Sequence, residues 1–271
     1  MPKKELDLSF LTQTTEEIEL PSRGLFYETP ELKKGKLHIR PWIATDEKLI
    51  DRFNKGNFYD VLKRLVQNVV EEKIKVDELT SGDFFYLLNM IRAISYGSVY
   101  LIKRSCPSCD ANISVPINLY DYPIDFIEDG KKEPFETTLP KSGILIKYRL
   151  PRLKDIIEAT EKTSFEAKRF GSAISPDSYK LVRCVEEMTL PNKDNTILTQ
   201  AEDFSTMLHK IWPNLHTIDV LKFRSELEKH DHGNNTNIEV KCPECEAKFE
   251  QAPLLSYEFF RPSSGGSELN S

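Results

Sequence analysis

Two Cys-Pro-x-Cys pairs constrain this chain more than any other feature of its sequence. They are Cys106-Pro107-Ser108-Cys109 and Cys242-Pro243-Glu244-Cys245, and they contain four of the five cysteines. The two thiolates of such a turn can point at one tetrahedral ion, and a second pair then closes a structural zinc site. Proline after the first cysteine favours the tight turn because it fixes φ. The sequence therefore predicts one structural Zn²⁺ site, with Cys106, Cys109, Cys242 and Cys245 as its ligands.

Other roles for these cysteines fit the sequence less well. A disulfide framework is not expected in the reducing cytosol. A thioredoxin-type pair stands at the start of a helix, whereas alternating, strand-like sequence follows both pairs. A catalytic zinc site needs an open position, which four thiolates do not leave. The fifth cysteine, Cys184, lies among apolar residues and is expected to be a buried structural thiol. A thiol oxidoreductase stays as a third function, which an insulin-reduction assay would detect.

The segments 18–119 and 137–255 are predicted to be two versions of one module. Each opens on a Leu-Pro-x-x-Gly turn, continues into a candidate strand and ends in a strand, a cysteine knuckle and a second strand. The openings are Leu20-Pro21-Ser22-Arg23-Gly24 and Leu139-Pro140-Lys141-Ser142-Gly143. The first strands close on Ile39-Arg40-Pro41 and Arg149-Leu150-Pro151. This ordered series of matches indicates an internal duplication.

Two amphipathic helices are the best-matched part of the proposed duplication. One follows Asp83 and carries Phe84, Leu87, Leu88 and Ile91. The other follows Asp203 and carries Phe204, Met207, Leu208 and Ile211 at the same spacings. Such spacing places the four side chains of each helix on one face, which predicts burial. An additional helix over 218–227 is predicted as part of an insertion before the second knuckle.

The expected fold is α+β. It consists of two related helical modules, each ending in a strand–zinc-knuckle–strand hairpin, joined as a pseudo-two-fold zinc ribbon. Residues 1–17 are predicted to be a flexible N-terminal segment and 256–271 a flexible tail. Residues 120–136 carry Pro123, Gly130, Pro134 and several acids, which is typical of a linker.

Charge, hydropathy and the absence of catalytic motifs argue against several classes of function. The formal net charge of −6 does not favour sequence-independent binding to nucleic acid, which needs clustered cations. No apolar run reaches the length of a membrane span, and no secretory signal is visible in the first residues, so a cytoplasmic protein is expected. His230-Asp231-His232 is interpreted as a solvated helix end rather than a metal cluster. Phosphate loops, nucleophile elbows and zinc-protease motifs are absent from the sequence, so the prediction is a protein that is not an enzyme.

Several motifs resemble a known family, the baseplate hub proteins of T-even-type contractile-tailed phages (myoviruses), often described as hub assembly chaperones. The motifs are Leu20-Pro21-Ser22-Arg23-Gly24-Leu25-Phe26-Tyr27, Gly35-Lys36-Leu37-His38-Ile39-Arg40-Pro41, Asp46-Glu47, Ser95-Tyr96-Gly97-Ser98 and Cys106-Pro107-Ser108-Cys109. The resemblance covers residues 18 to about 160 well and the second half less clearly. It implies a role in building the central hub of a tail baseplate in the infected host's cytoplasm, with other hub or tail proteins as partners. Whether the chain stays in the virion is left open.

A zinc-ribbon protein that binds nucleic acid or acts in transcription is the alternative function. It would need a basic face with exposed aromatic side chains around the knuckles. Asp110, Glu244 and Glu246 flank the knuckles instead. Neither function implies a small-molecule substrate.

Overall fold

The computed structural model describes residues 14–51, 57–170, 174–234, 237–251 and 257–260. Its strands are β1 Glu16–Glu19, β2 Lys36–Ile39, β3 Val99–Ser105, β4 Asn112–Asn118, β5 Phe135–Thr138, β6 Leu145–Tyr148, β7 Val185–Thr189, β8 Ile197–Thr199, β9 Ile238–Lys241 and β10 Lys248–Gln251. Its helices are α1 Pro30–Lys33, α2 Ala44–Ile50, α3 Phe58–Val69, α4 Ser81–Tyr96, α5 Leu153–Phe170, α6 Pro176–Cys184, α7 Gln200–Thr206, α8 Thr217–Glu228 and α9 Tyr257–Phe260. A π-helical turn, Met207–Ile211, continues α7, and a 3₁₀ turn, Trp212–Asn214, precedes α8.

The sheets are small and their strand pairs are antiparallel. β1 pairs with β2, β3 with β4 and β9 with β10, while β5-β6-β7-β8 form one four-stranded sheet. The predicted α+β class is confirmed. The pseudo-two-fold relation between the two knuckle hairpins stays a prediction.

The two largest hydrophobic cores are formed mainly by one half of the chain each, and Leu153, Val240, Phe259 and Phe260 of the second half join the first core. In the first, α4 buries Phe84, Leu87, Leu88 and Ile91 completely. In the second, the π-helical turn buries Met207 and Leu208, and Phe204 and Ile211 pack against the same core while staying partly exposed. Both predicted apolar stripes therefore face a core.

An arginine–aspartate pair closes the first strand–helix connection in the first half. Arg40 Nη1 donates to Asp46 Oδ2 at 2.7 Å, and Arg40 Nη2 donates to the carbonyl of Asn68 at 2.8 Å. The backbone N–H of Ile43 donates to the same carboxylate at 3.0 Å. Asp46 thus joins the end of β2 to the start of α2, and Arg40 also reaches the end of α3.

The second half repeats this arrangement contact for contact. Arg149 donates to Asp155 at 2.6 and 2.9 Å and to the carbonyl of Arg183 at 3.1 Å. The backbone N–H of Arg152 donates to Asp155 at 2.8 Å, in the place that Ile43 takes in the first half. The shared network supports the proposed duplication at the level of single side chains.

The helix equivalent to α4 is α8, and the pairing of the Asp83 and Asp203 helices is wrong. Asp83 accepts a hydrogen bond from the Ser22 backbone N–H, in the first Leu-Pro-x-x-Gly turn, at 2.9 Å. In the second turn the N–H groups of Lys141 and Ser142 donate to Asp219, in α8, at 2.7 and 3.0 Å. Asp203 instead accepts from the backbone of Thr199, four residues earlier. By this contact the helix over 218–227, rather than the Asp203 helix, is the counterpart of α4 in the proposed duplication.

Two segments predicted to be loose are anchored. Within 120–136, Tyr122 and Ile127 are buried, and Asp125 exchanges backbone hydrogen bonds with Gly233. Within the predicted tail 256–271, α9 places Phe259 and Phe260 in the first core, both at most 1% exposed. The tail prediction is therefore wrong for α9. Residues 1–13 of the predicted N-terminal segment, and 256 and 261–271 of the tail, lie outside the described residues.

Candidate metal centre

The two cysteine knuckles have the same backbone geometry. In the first, the N–H of Cys106 donates to the carbonyl of Ala111 at 2.8 Å, and the N–H of Asp110 donates to the carbonyl of Cys106 at 3.0 Å. In the second, Cys242 makes both equivalent bonds, at 2.9 Å to the carbonyl of Ala247 and at 3.0 Å from the N–H of Glu246. The positions after the second cysteines, Asp110 and Glu246, both have left-handed φ, 57° and 61°. Each knuckle is thus a tight turn between two paired strands.

The fold brings the four predicted ligands together. Their sulfur atoms all lie within 4.8 Å of one another. Cys106 Sγ lies 3.8 Å from Cys245 Sγ, and Cys109 Sγ lies 3.9 Å from Cys242 Sγ. Four sulfurs at about 2.3 Å from a central zinc would be separated by about 3.8 Å in a regular tetrahedron. The spacing of the thiols therefore fits one tetrahedral zinc ion.

Side chains around the cluster join the two hairpins. Cys106, Ile113 and Cys242 form a small buried cluster, and Phe249 packs against it. The guanidinium of Arg104, in β3, lies 4.9 Å from the centre of the Phe249 ring, in β10. The same guanidinium donates to Gln251 Oε1 at 2.8 Å. A hairpin from each half therefore contributes to one apolar wall behind the sulfurs.

The thiols themselves favour a cation. The backbone N–H of Ser108 donates to Cys106 Sγ at 3.4 Å, which lowers the pKa of Cys106 to about 7. The N–H of Ala111 likewise lowers the pKa of Cys109. The hydrogen bond between the Cys109 and Cys245 side chains and the desolvation of Cys109 act the other way, and together they raise the pKa of Cys109 to about 12. Thiolates at this spacing repel one another, so a bound dication is needed for all four to ionise together. Four soft thiolates in a tetrahedron are a donor set that selects zinc over harder cations.

The other sequence candidates lie elsewhere. Cys184 is fully buried in the second core, and burial raises its pKa to about 12. His230 stacks on Phe135 with ring centres 3.9 Å apart. Among the described residues, the four-cysteine cluster is the group whose donor atoms are close enough to hold a metal.

His232 was predicted to be solvated, but the structure buries it. It is 2% exposed, and its Nε2 lies 2.7 Å from Thr80 Oγ1 at the start of α4. Its Nε2 also lies 3.7 Å from a carboxylate oxygen of Asp83. Gly82 and Gly233 allow the two backbones to meet there, since a Cβ built on Gly82 would lie 2.3 Å from the carbonyl oxygen of His232. The predicted solvated helix end is thus wrong for His232, which is buried at a junction between the halves, whereas Asp231 is exposed. The close Gly233 was the one sequence signal of this junction.

Comparison with known proteins identifies one family. The family model described as "T4 bacteriophage base plate protein" matches residues 25–260. The match spans both Arg–Asp networks and both knuckles. No curated protein and no solved structure matches the chain. No helix in the described part of the chain is long and apolar enough to cross a membrane.

Proposed function

The chain belongs to the T4 bacteriophage base plate protein family, and on that premise we propose that it helps to build the central hub of the tail baseplate. It would act either as an assembly chaperone or as a hub subunit, through contacts with other hub or tail proteins in the cytoplasm of the infected host. The family match over residues 25–260 carries this proposal. The proposed role is binding, not catalysis.

The second part of the proposal is that Cys106, Cys109, Cys242 and Cys245 hold one structural Zn²⁺. The sulfur separations of 3.8 and 3.9 Å support it. A bound zinc ion supplies a rigid four-way link and, with four thiolate ligands, leaves no position for a substrate. Because the ligands come in pairs from 18–119 and 137–255, we propose these segments as the two modules that the metal joins. Residues 120–136 would connect them.

Charge around the second knuckle argues against the nucleic-acid alternative. Lys241 is paired with Glu246 at 3.2 Å, and Lys248 with Glu239 at 2.7 Å. Cations already balanced by neighbouring carboxylates release few counterions from a phosphate backbone. A protein-binding role is therefore favoured over a zinc ribbon that grips nucleic acid.

Complementation of a deletion phage tests the assembly role. Cells infected with phage lacking this gene are expected to contain normal heads and incomplete baseplates by electron microscopy, and the wild-type chain should restore tails. Glu244→Gln, an exposed change within the second knuckle, is the surface control and should restore tails as well as the wild-type chain does. Normal tails from the deletion phage would end the proposal.

A second measurement distinguishes a hub subunit from an assembly chaperone. A hub subunit is expected in purified mature particles at a fixed ratio to other tail proteins, whereas a chaperone should co-purify with hub proteins from infected cells and be missing from particles. Detection by mass spectrometry in both samples decides between them.

Elemental analysis tests the metal. About one zinc per chain is expected, and X-ray absorption should show four sulfur ligands at about 2.3 Å. Iron in place of zinc, or nitrogen or oxygen ligands, would contradict the four-cysteine zinc assignment.

A further inference from the structure

We propose that the four cysteines are also a modification site, at which oxidation of the metal-free protein forms two disulfides between the knuckles. The pairs are Cys106 with Cys245 and Cys109 with Cys242. This inference concerns the proposed metal site but rests on the positions of the sulfurs, whichever metal they hold.

All four sulfurs lie within 4.8 Å of one another, and the two contacts below 4 Å described above favour these pairs. The contacts of 3.8 and 3.9 Å each join a cysteine of one knuckle to a cysteine of the other. A disulfide needs a sulfur separation of about 2.05 Å, so each pair must close by roughly 2 Å. Movement of one hairpin towards the other can supply that closure for both pairs together.

A disulfide within one knuckle would form inside a turn that is already constrained. Each turn is held by two backbone hydrogen bonds between the first cysteine and the residues that follow the second. Pro107 and Pro243 also fix φ inside the turns. A link between knuckles leaves both turns as they are, and a link within one knuckle is the competing outcome that the digest below detects.

The exposure of the thiols argues against the third pairing, Cys106 with Cys242 and Cys109 with Cys245. Cys109 and Cys245 are exposed, while Cys106 and Cys242 are buried. In the proposed pairing, each exposed cysteine, which an oxidant in solution reaches first, has a buried cysteine as its partner. The opposite cross pairing would link the two exposed thiols and leave two buried thiols to be oxidised out of reach of the solvent.

Hydrogen peroxide supplies the oxidising equivalents. An exposed thiol attacks one peroxide oxygen, which forms a sulfenic acid and releases one water. The buried partner thiol then attacks that sulfur, forms the S–S bond and releases a second water. Two peroxide molecules therefore convert four thiols into two disulfides and four waters.

Both disulfides would join residues 18–119 to residues 137–255. Loss of the metal under oxidising conditions would therefore replace one link between the halves by another, rather than release them. In a reducing cytoplasm the thiols would stay free to bind metal.

Peptide mapping tests the proposal on the full-length chain. The protein is treated with a chelator and hydrogen peroxide, the remaining thiols are blocked, and trypsin is added without reductant. Cleavage after Arg104, Lys131, Lys241 and Lys248 releases one peptide, 105–131, with the first knuckle and another, 242–248, with the second. We expect the two peptides to be recovered as one species by mass spectrometry and to separate after reduction. Separate peptides that each lack two hydrogens, or peptides with blocked thiols, would overturn the proposal.

Double variants test the pairing and separate it from the metal proposal. Cys109→Ser with Cys242→Ser keeps one proposed pair, and Cys109→Ser with Cys245→Ser keeps the two buried thiols. The first variant is expected to link its peptides at least tenfold faster under peroxide, and equal rates would overturn the assigned pairs. Metal content of the untreated wild-type protein is measured first. A protein without zinc would defeat the metal proposal and leave the digest to decide the disulfides.

Discussion

Arg149 and Asp155 form a two-point ion pair, with Nη1–Oδ2 and Nη2–Oδ1 distances of 2.6 and 2.9 Å. Asp155 is fully buried, and only 12% of the Arg149 side chain is exposed. Arg40 and Asp46 repeat the pair at the same separation of six residues in the first half. The contact recurs in both halves, and in each it ties a strand end to the next helix.

Removing the arginine should therefore destabilise the second half. Arg149→Ala leaves the Asp155 carboxylate buried without its main partner, and a broken buried pair costs about 3–5 kcal/mol. Urea denaturation is expected to show a fall of that size in the free energy of unfolding.

Arg40→Ala is the matched control for this prediction. The Arg40 side chain is 23% exposed, so water compensates Asp46 better and the loss should be smaller. An equal loss for the two variants would show that burial of the pair is not what sets its contribution.

Gly82→Ala should also destabilise the protein, although alanine favours helices over glycine by about 1 kcal/mol. Gly82 lies in the first turn of α4, where an added Cβ would press on the carbonyl oxygen of His232. We expect a net loss on the order of 1–3 kcal/mol, as for other overpacked sites. Ser205→Ala, at an exposed position of α7, should change thermal stability little. A stabilised Gly82→Ala protein would show that the two backbones are not in contact.

Phe259→Ala should lower the free energy of unfolding by disrupting the first core, although most residues of that core are distant from Phe259 in the sequence. The Phe259 ring packs edge-on against Tyr100 with centres 5.3 Å apart, and Arg92 Nε donates to the Phe259 carbonyl at 2.7 Å. Truncation of a buried phenylalanine costs about 3–5 kcal/mol. Tyr120→Ala removes an aromatic ring that is 51% exposed and should cost much less. Similar denaturation midpoints for the two variants would contradict the anchoring of α9.

Local pattern was enough to predict some of these features. The stripe of α4 is visible because its spacing alone places four apolar side chains on one face. The two cysteine pairs could be predicted to form one site because a structural zinc ion requires four ligands, whatever their separation in the sequence.

The features that sequence reasoning missed depend on distant partners. The Asp203 helix has the right apolar spacing, but equivalence to α4 depends on which aspartate reaches the Leu-Pro-x-x-Gly turn. That aspartate is Asp219, whose partners are 77 and 78 residues away in sequence. Likewise, the polar composition of 262–267 gives no sign that Phe259 is buried, since that burial depends on contacts with Arg92 of α4 and Tyr100 of β3.

His38 should titrate above the ordinary histidine range. Its ring Nδ1 lies 2.8 Å from Glu72 Oε1, and this hydrogen bond raises the pKa of His38. A raised pKa in the folded state means that the pair stabilises the fold below the ordinary value of about 6.5. That contribution is lost as pH rises through the folded-state pKa.

An NMR titration of the His38 ring checks the cause of this shift. In Glu72→Gln the pKa of His38 is expected to fall towards its ordinary value, because an amide carries no charge. In Glu71→Gln, at the exposed neighbouring position, it should fall much less. An unchanged pKa in Glu72→Gln would assign the shift to another group.

Metal removal should loosen the contact between the knuckle hairpins and leave both helical cores folded. Binding of a structural zinc can contribute on the order of 10 kcal/mol in domains that lack any other core. Here Leu88 and Phe223 lie in two separate cores, each fully buried and outside the small cluster that contains Cys106 and Cys242. After chelation under reducing conditions, hydrogen exchange is expected to quicken in β3, β4, β9 and β10 and to change little in α4 and α8. Cys106→Ser should give the same pattern without chelator because it removes one ligand, and Ser108→Ala, an exposed change in the same turn, should exchange like the wild type. Uniformly faster exchange through α4 and α8 would mean that the metal holds the whole chain folded rather than the joint between its halves.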